Sequence, residues 1–415
     1  MKINFHKFLS QFMLSAAFFS LLTACNKDVP DPVPVEPEAP STAVTIGEMI
    51  NTDASFSLLK TAINRVPGLL EMLSDKDAVY TVFAPDDAAF QRSGINATVI
   101  NALPAQQIAA IMQYHVVGGQ RLNSTMIPTA FPNIQLPTQL VLAPPSTTLP
   151  PGLRMSIFPF RNGNTGWVNN IPLTATDVQA ANGVIHKVAA IVLPPQQMLW
   201  ERIAADSELD YLEAAVRRAD QATPSPGLVA ALSNPAASLT VFAPNDNAFS
   251  QLLTLQITGA LVAQGVPAAN AQAAATALVT TYGTTIISNP ASIPDAPIFP
   301  AGTGIGAQLA AILTPTTVQG IVVYHLLGSR AFSVNLPTTA TARPTLLNSG
   351  IANHPGVTLQ ATFGPTGVTA ATVKGVGNQS ASAIQVNPTT APGGTSDQHY
   401  VNGVLHIINQ VLLPQ

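Results

Sequence analysis

Tyr80-Thr-Val-Phe-Ala-Pro-Asp-Asp-Ala-Ala-Phe90 recurs in this chain as Leu239-Thr-Val-Phe-Ala-Pro-Asn-Asp-Asn-Ala-Phe249. Each copy reads as a short β-rich run stopped by proline. A helix start follows, where Asp or Asn caps free N–H groups and offsets the positive end of the dipole. Two further blocks repeat in the same order. Ile111-Met-Gln-Tyr-His-Val-Val-Gly118 returns as Ile321-Val-Val-Tyr-His-Leu-Leu-Gly328, and Ala181-Asn-Gly-Val-Ile-His-Lys-Val188 returns as Val401-Asn-Gly-Val-Leu-His-Ile-Ile408. Three blocks in one order define two diverged copies of a single unit. The offset between copies is 159 at Phe83/Phe242, 210 at His115/His325 and 220 at His186/His406. The second copy therefore gains 51 residues, mapped to about 254–315, and about 10 more between its second and third blocks.

Local patterning makes each unit a mixture of helices and strands. Ser55 to Ile63 and Ser207 to Arg217 carry apolar residues at helical spacing after caps at Asp53 or Ser55 and Asp206 or Ser207. Asn182-Gly183 and Asn402-Gly403 are hairpin dipeptides, each ahead of a terminal strand. Within the added segment, Val262 to Thr281 is Ala-rich and reads as helix, and Ile286 to Gly306, broken by four prolines, reads as an irregular excursion.

The blocks T-V-F-A-P-x-D-x-A-F, Y-H-hydrophobic and N-G-V-hydrophobic-H, running on to Leu-Pro, resemble the fasciclin (FAS1) domain, and both copies match all three. The resemblance implies an α+β fold: two tandem domains, each a small β-sandwich or wedge flanked by helices, the second enlarged by insertions. Boundaries follow at 44–195 and 196–415. It also implies extracellular adhesion or ligand binding toward protein or polysaccharide, no general catalytic activity and no cofactor. Accessory work in surface glycan capture is the alternative, and a hydrolase carried by the insertion in the second domain is the third reading.

Composition excludes several classes. Hydrophobic residues make up 47% and charged residues 9% of 415, with 36 Pro, so aliphatic content is ample for a core and argues against general disorder. With 17 Lys+Arg against 21 Asp+Glu and no basic cluster longer than Arg217-Arg218, the electrostatic footprint of a nucleic-acid binder is missing. One Cys permits neither an intrachain disulfide nor a multi-cysteine metal site.

That Cys has a better use. Lys2 and Lys7, an apolar run from Phe8 to Leu22 and small residues form a secretory signal, ending Leu22-Thr23-Ala24-Cys25, which resembles the bacterial lipobox. Residues 1–24 are then a lipoprotein signal peptide, Cys25 is the lipidation site, and Pro-rich residues 25–43 are a tether. Removal of Lys2 and Lys7 takes the bases from 17 to 15 against 21 acids, a formal charge of −6, so attachment would come from acyl chains rather than from basic patches. The expected location is the envelope, at the outer membrane or surface of a Gram-negative bacterium.

Chemistry-bearing residues are sparse. His115, His186, His325 and His406 lie in the repeated blocks within apolar stretches. Together with Tyr114, Tyr324, Asp87 and Asp246 they read as structural, the histidines bonding to backbone or to a helix-start Asp, rather than as metal ligands. Ser396-Asp397-Gln398-His399 contains the residue types of a hydrolase triad but crowds them into one loop with no G-x-S-x-G turn. Residues 296–396 contain no carboxylate, which removes acid/base pairs from that stretch. Gly302-Thr-Gly304-Ile-Gly306 has the wrong spacing for a phosphate loop and reads as a helix entry. The local candidate for a binding surface is Phe158, Phe160, Arg161 and Trp167, either as an exposed hairpin contacting protein or glycan or with Trp167 in a core.

Overall fold

The computed structural model describes residues 44–144, 152–294, 304–364, 367–384, 386 and 394–415. The signal segment, Cys25 and the tether lie outside these residues. The two repeated units each form one eight-stranded sheet. From edge to edge the first runs Leu153–Ile157, Leu136–Ala143, Val116–Gly118, Tyr80–Pro85, Gly183–Val188, Ile171–Ala180, Thr165–Val168 and Pro159–Asn162. The second runs Leu326–Leu327, Leu239–Pro244, Gly403–Ile408, Ser382–Ile384, Gly367–Lys374, Val357–Gly364 and Thr341–Arg343, with Gln398–Tyr400 also paired to Gly403–Ile408.

The first and third repeated blocks meet as a parallel pair in each sheet, at the centre of the first and one strand in from an edge of the second. Tyr80–Pro85 lies parallel to Gly183–Val188 with Tyr80 opposite Gly183, and Leu239–Pro244 lies parallel to Gly403–Ile408 with Leu239 opposite Gly403. The other ladders are antiparallel. Every residue of Tyr80–Pro85, Leu239–Pro244 and Gly403–Ile408 is buried, because both sheet faces are covered, which is why these runs are mostly apolar without alternation, Thr81, Thr240 and His406 excepted. Alternate side chains feed two cores. Tyr80, Val82 and Ala84 pack against helices through Ile46, Leu59, Leu73 and Met112, while Phe83 faces Val117, Leu136, Ile157 and Val188 on the other side. In the second domain Leu239, Val241 and Ala243 join the helical core, and Phe242 joins a core of Leu359, Val373 and Ile408.

Helix starts follow the caps. Asp86 accepts from Ala89 N–H at 2.8 Å at the head of Asp87–Arg92, and Asn245 accepts from Ala248 N–H at 2.9 Å at the head of Asp246–Ala263. Three local expectations shift. Asp53 caps a short 3-10 turn, Ala54–Phe56, and the helix proper is Ser57–Ile63. The helix expected from Ser207 begins at Asp210, because Asp206 first closes a turn onto Glu208 N–H. The Ala-rich segment is no single helix from Val262. Gly265, at φ 89°, and Pro267 break it, leaving Asp246–Ala263 and Ala268–Tyr282 as an antiparallel-packed hairpin.

The addition is built into its domain. Leu253, Ile257, Leu261, Ala271, Ala275 and Leu278 share one core with Leu212, Val216 and Val241. Gly304 opens the helix Ile305–Ile312 in a left-handed conformation, the helix entry expected there.

The central parallel pair constrains one residue most. Gly183 has φ 152° and a Cβ placed on it would stand 1.9 Å from the Tyr80 carbonyl oxygen. Gly183→Ala is expected to lower stability by about 2–4 kcal/mol. Gly320→Ala, in a helix with nothing within 4 Å of the new methyl, should raise it by about 0.4–1 kcal/mol. Denaturant titration of both variants measures the contrast.

Candidate functional site

The polar residues of the repeated blocks are occupied internally, and in matching ways. His115 Nδ1–H donates to Ile111 O at 2.7 Å while its Nε2 accepts Val192 N–H at 3.0 Å. His325 repeats this with Ile321 O at 2.8 Å and Leu412 N–H at 2.8 Å. An accepted N–H fixes each ring as the neutral Nδ1–H tautomer. His186 and His406 are the other tautomer. Their Nε2–H groups donate to Leu122 O and Ala331 O, both at 2.7 Å, and their Nδ1 atoms accept Asp177 N–H at 3.4 Å and Asp397 N–H at 3.2 Å.

Tyr114 donates to Ser156 O and accepts from Asn169, and Tyr324 donates to Gly356 O and accepts from Val376 N–H. Asp87 accepts from Ser57 Oγ–H and Leu58 N–H, and Asp246 accepts from Tyr211 N–H, so each ties its helix start to a neighbouring helix. The histidines therefore bond to backbone and not to these carboxylates.

Sequence reasoning missed two further pairs. Thr81 donates to Gln120 O and accepts from Leu122 N–H, and Thr240 does the same with Ser329 O and Ala331 N–H. Asp177 and Asp397, at φ 61° and 53°, each clamp the backbone N–H and hydroxyl of one serine, Ser124 and Ser333. Both acids stand nine residues before a repeated histidine, a spacing that would have paired them.

Asp397 is thus committed to Ser333 rather than to chemistry with Ser396 or His399. His399 is half-buried, and its Nε2 lies 2.8 Å from Arg330 Nη1, a donor that leaves the ring as acceptor. A base whose lone pair faces a guanidinium is not free to activate a nucleophile. Among the described residues no three His, Cys, Asp or Glu side chains are grouped to hold a metal.

Of the two readings of the aromatic hairpin, the structure has the buried one. Phe158, Phe160 and Trp167 are only 2%, 4% and 5% exposed and pack with Phe332, Val334 and Val404 of the second domain. His399 is edge-on to Phe158 at 6.0 Å and to Phe332 at 5.3 Å, and the Arg330 guanidinium sits 4.6 Å from the Phe158 ring centre. Arg330 also donates to Tyr400 O at 2.8 Å and Val401 O at 2.5 Å. Arg161 is half-buried, its N–H bonded to Pro128 O. These side chains do form a protein contact, but the partner is the other half of the same chain.

What faces solvent with concave shape is elsewhere. A groove of about 690 Å³ runs along the hairpin Asp246–Ala263 and Ala268–Tyr282, bounded by Gln251, Thr254 and Thr258 on one helix and Gln272, Thr276 and Thr280 on the other. Leu255, 68% exposed, stands at its mouth, and Tyr211 and Val279 lie beneath.

The fasciclin-domain family model matches residues 54–194. The chain is 31% identical over 163 residues to Protein sll1483 of Synechocystis sp., covering 39% of this chain and 79% of that protein. It is 30% identical over 173 residues to transforming growth factor-beta-induced protein ig-h3 of Sus scrofa, covering 41% of this chain and 22% of that protein. A solved FAS1 domain pair from the insect cell adhesion molecule fasciclin I aligns over 86% of this chain with 14% identity and a TM-score of 0.31. The chain belongs to the fasciclin-domain family. It spans about a fifth of the length of the pig and rabbit ig-h3 proteins, 22% of each.

Burial holds His115 and His325 down to about 4 and pushes His399 well below the ordinary imidazole range, with Arg330 adding to the effect at His399. A depressed folded-state value means that the unfolded chain binds the proton first. Stability is therefore complete above about pH 6.5 and falls as the pH drops toward 4, by about 3 kcal/mol each for His115 and His325 at the lower limit. Denaturation at pH 7.5 and pH 5 should show the loss, and His325→Gln should flatten the slope. Phe158→Ala is expected to cost about 3–5 kcal/mol and, in calorimetry, to separate the unfolding of the two domains.

Proposed function

We propose that this chain is a cell-envelope lipoprotein whose two fasciclin domains act as an adhesion or ligand-binding module for extracellular protein or polysaccharide. The observation that carries the reading is the fate of the repeated polar residues. His115, His186, Tyr114, Asp87 and their counterparts spend their donors and acceptors on backbone groups and on neighbouring side chains such as Ser57 and Asn169, so what each domain offers outward is surface rather than a reactive centre. Membership of the fasciclin-domain family supports the adhesion-type reading. The same bonding is our ground for assigning no catalysis and no cofactor.

Anchoring rests on the sequence. Leu22-Thr23-Ala24-Cys25 supplies the acylated residue, and the Pro-rich run to residue 43 holds the domains away from the bilayer at the outer membrane or cell surface. Glycan capture is the favoured variant of the binding role, because the hairpin groove is walled by hydroxyls and amides over a single aromatic, Tyr211, and has no Arg in its lining.

Cys25→Ala is expected to abolish fatty-acid labelling and to release the protein from membranes. Retention of label in that variant would overturn the anchor. For the module, binding of the purified chain to panels of envelope proteins and polysaccharides is the test, and binding to neither panel would refute it.

A further inference from the structure

The helical hairpin of the second domain has an unusual surface. Residues 247–294 contain no Asp, Glu, Lys, Arg or His, although Gln251, Leu255, Gln272, Thr276 and Thr280 are exposed. A helix that faces water on one side ordinarily carries charge there. Here the solvent side is hydroxyl, amide and aliphatic, and it encloses the groove of about 690 Å³, within the size range of small-ligand sites.

From this we infer that the groove is a binding site for a neutral oligosaccharide chain. The inference rests on the proposed role of the protein as a binder of extracellular polymers and assigns that role a place and a ligand class.

The hydroxyls are oriented before any ligand arrives. Thr258 donates its proton to Thr254 O at 2.7 Å, Thr276 to Gln272 O at 2.9 Å and Thr280 to Thr276 O at 2.9 Å. Each threonine oxygen therefore presents lone pairs as a fixed acceptor, and the amides of Gln251 and Gln272 add donors and acceptors. Gln272, Thr276 and Thr280 recur at every fourth position, which on a helix gives a polar group about every 6 Å along the wall. Such a row matches a polymer of repeating hydroxylated rings, whose hydroxyl protons need acceptors. Leu255 and Val279 supply aliphatic surface for the C–H faces of the same rings.

Charge decides among ligands. An acidic polysaccharide, a phosphate-rich headgroup or a nucleic acid would need a cation in the wall, and the lining has none. A basic segment would need a carboxylate, which is equally missing. The hairpin is also preformed, since its inner face is locked into the domain core through Leu253, Ile257, Leu261, Ala271 and Leu278. Little ordering is left for the ligand to drive.

The test uses the full chain in detergent, titrated with neutral glucan, xylan, mannan and galactan oligosaccharides, with uronate and sulfated oligosaccharides and an envelope-protein panel in parallel. Binding of at least one neutral oligosaccharide is expected, insensitive to salt and weakened at least tenfold by Thr258→Val combined with Thr276→Val. Thr276→Glu should have a comparable effect, with the helical circular dichroism unchanged for both variants. Unaltered neutral-glycan affinity in these variants would overturn the groove while leaving the binding module standing. Binding confined to acidic glycans or to protein would do the same, and binding to no probe would remove the groove and the module together.

Discussion

The structure depends on a parallel contact between strands far apart in the chain. Tyr80–Pro85 and Gly183–Val188 lie side by side in one sheet, and Leu239–Pro244 and Gly403–Ile408 do so in the other. A parallel pair needs a crossover, and here nearly the whole domain serves as one. Asn182 and Asn402 fasten its far end. Asn182 accepts Ile46 N–H and donates to Leu73 O and Asp75 O, and Asn402 accepts Leu199 N–H and donates to Leu232 O. The first helix of each domain is thereby held by the turn before its last strand.

Around that pair, polar groups do the work of joints. Thr81, His115 and His186 in one domain, and Thr240, His325 and His406 in the other, each bridge two backbone groups that the sheet leaves unpaired. A buried carbonyl or N–H without a partner costs about 1–3 kcal/mol. The repeated histidines are thus explained by satisfaction of the main chain. The same logic places Asp177 and Asp397 on loop serines.

Much of this was legible in the sequence because repetition acts as internal evidence. Blocks that recur in order mark which strands and helices each unit must contain. Legibility failed where an outcome depends on a partner surface. Phe158, Phe160 and Trp167 have the composition of a contact patch, and nothing in their local spacing distinguishes a foreign ligand from Phe332 and Val404 in the same chain. The role of Asp397 was hidden for a related reason: its spacing from Ser396 and His399 argued against a triad, but nothing local pointed to its partner Ser333, 64 residues away. The groove was illegible because it is made by two helices whose separation at Gly265 and Pro267 was read as continuous helix.

The junction between the domains also bears on how the protein is made. Phe158 and Val404 touch the same cluster although 246 residues separate them. The first domain holds every strand of its own sheet without Phe332, His399 and Val404, so its aromatic face is completed only by the second domain. Exposed apolar surface of that kind is what holdase chaperones capture and what drives premature association. The burial of Phe158, Phe160 and Trp167 therefore depends on both halves of the chain being folded and docked.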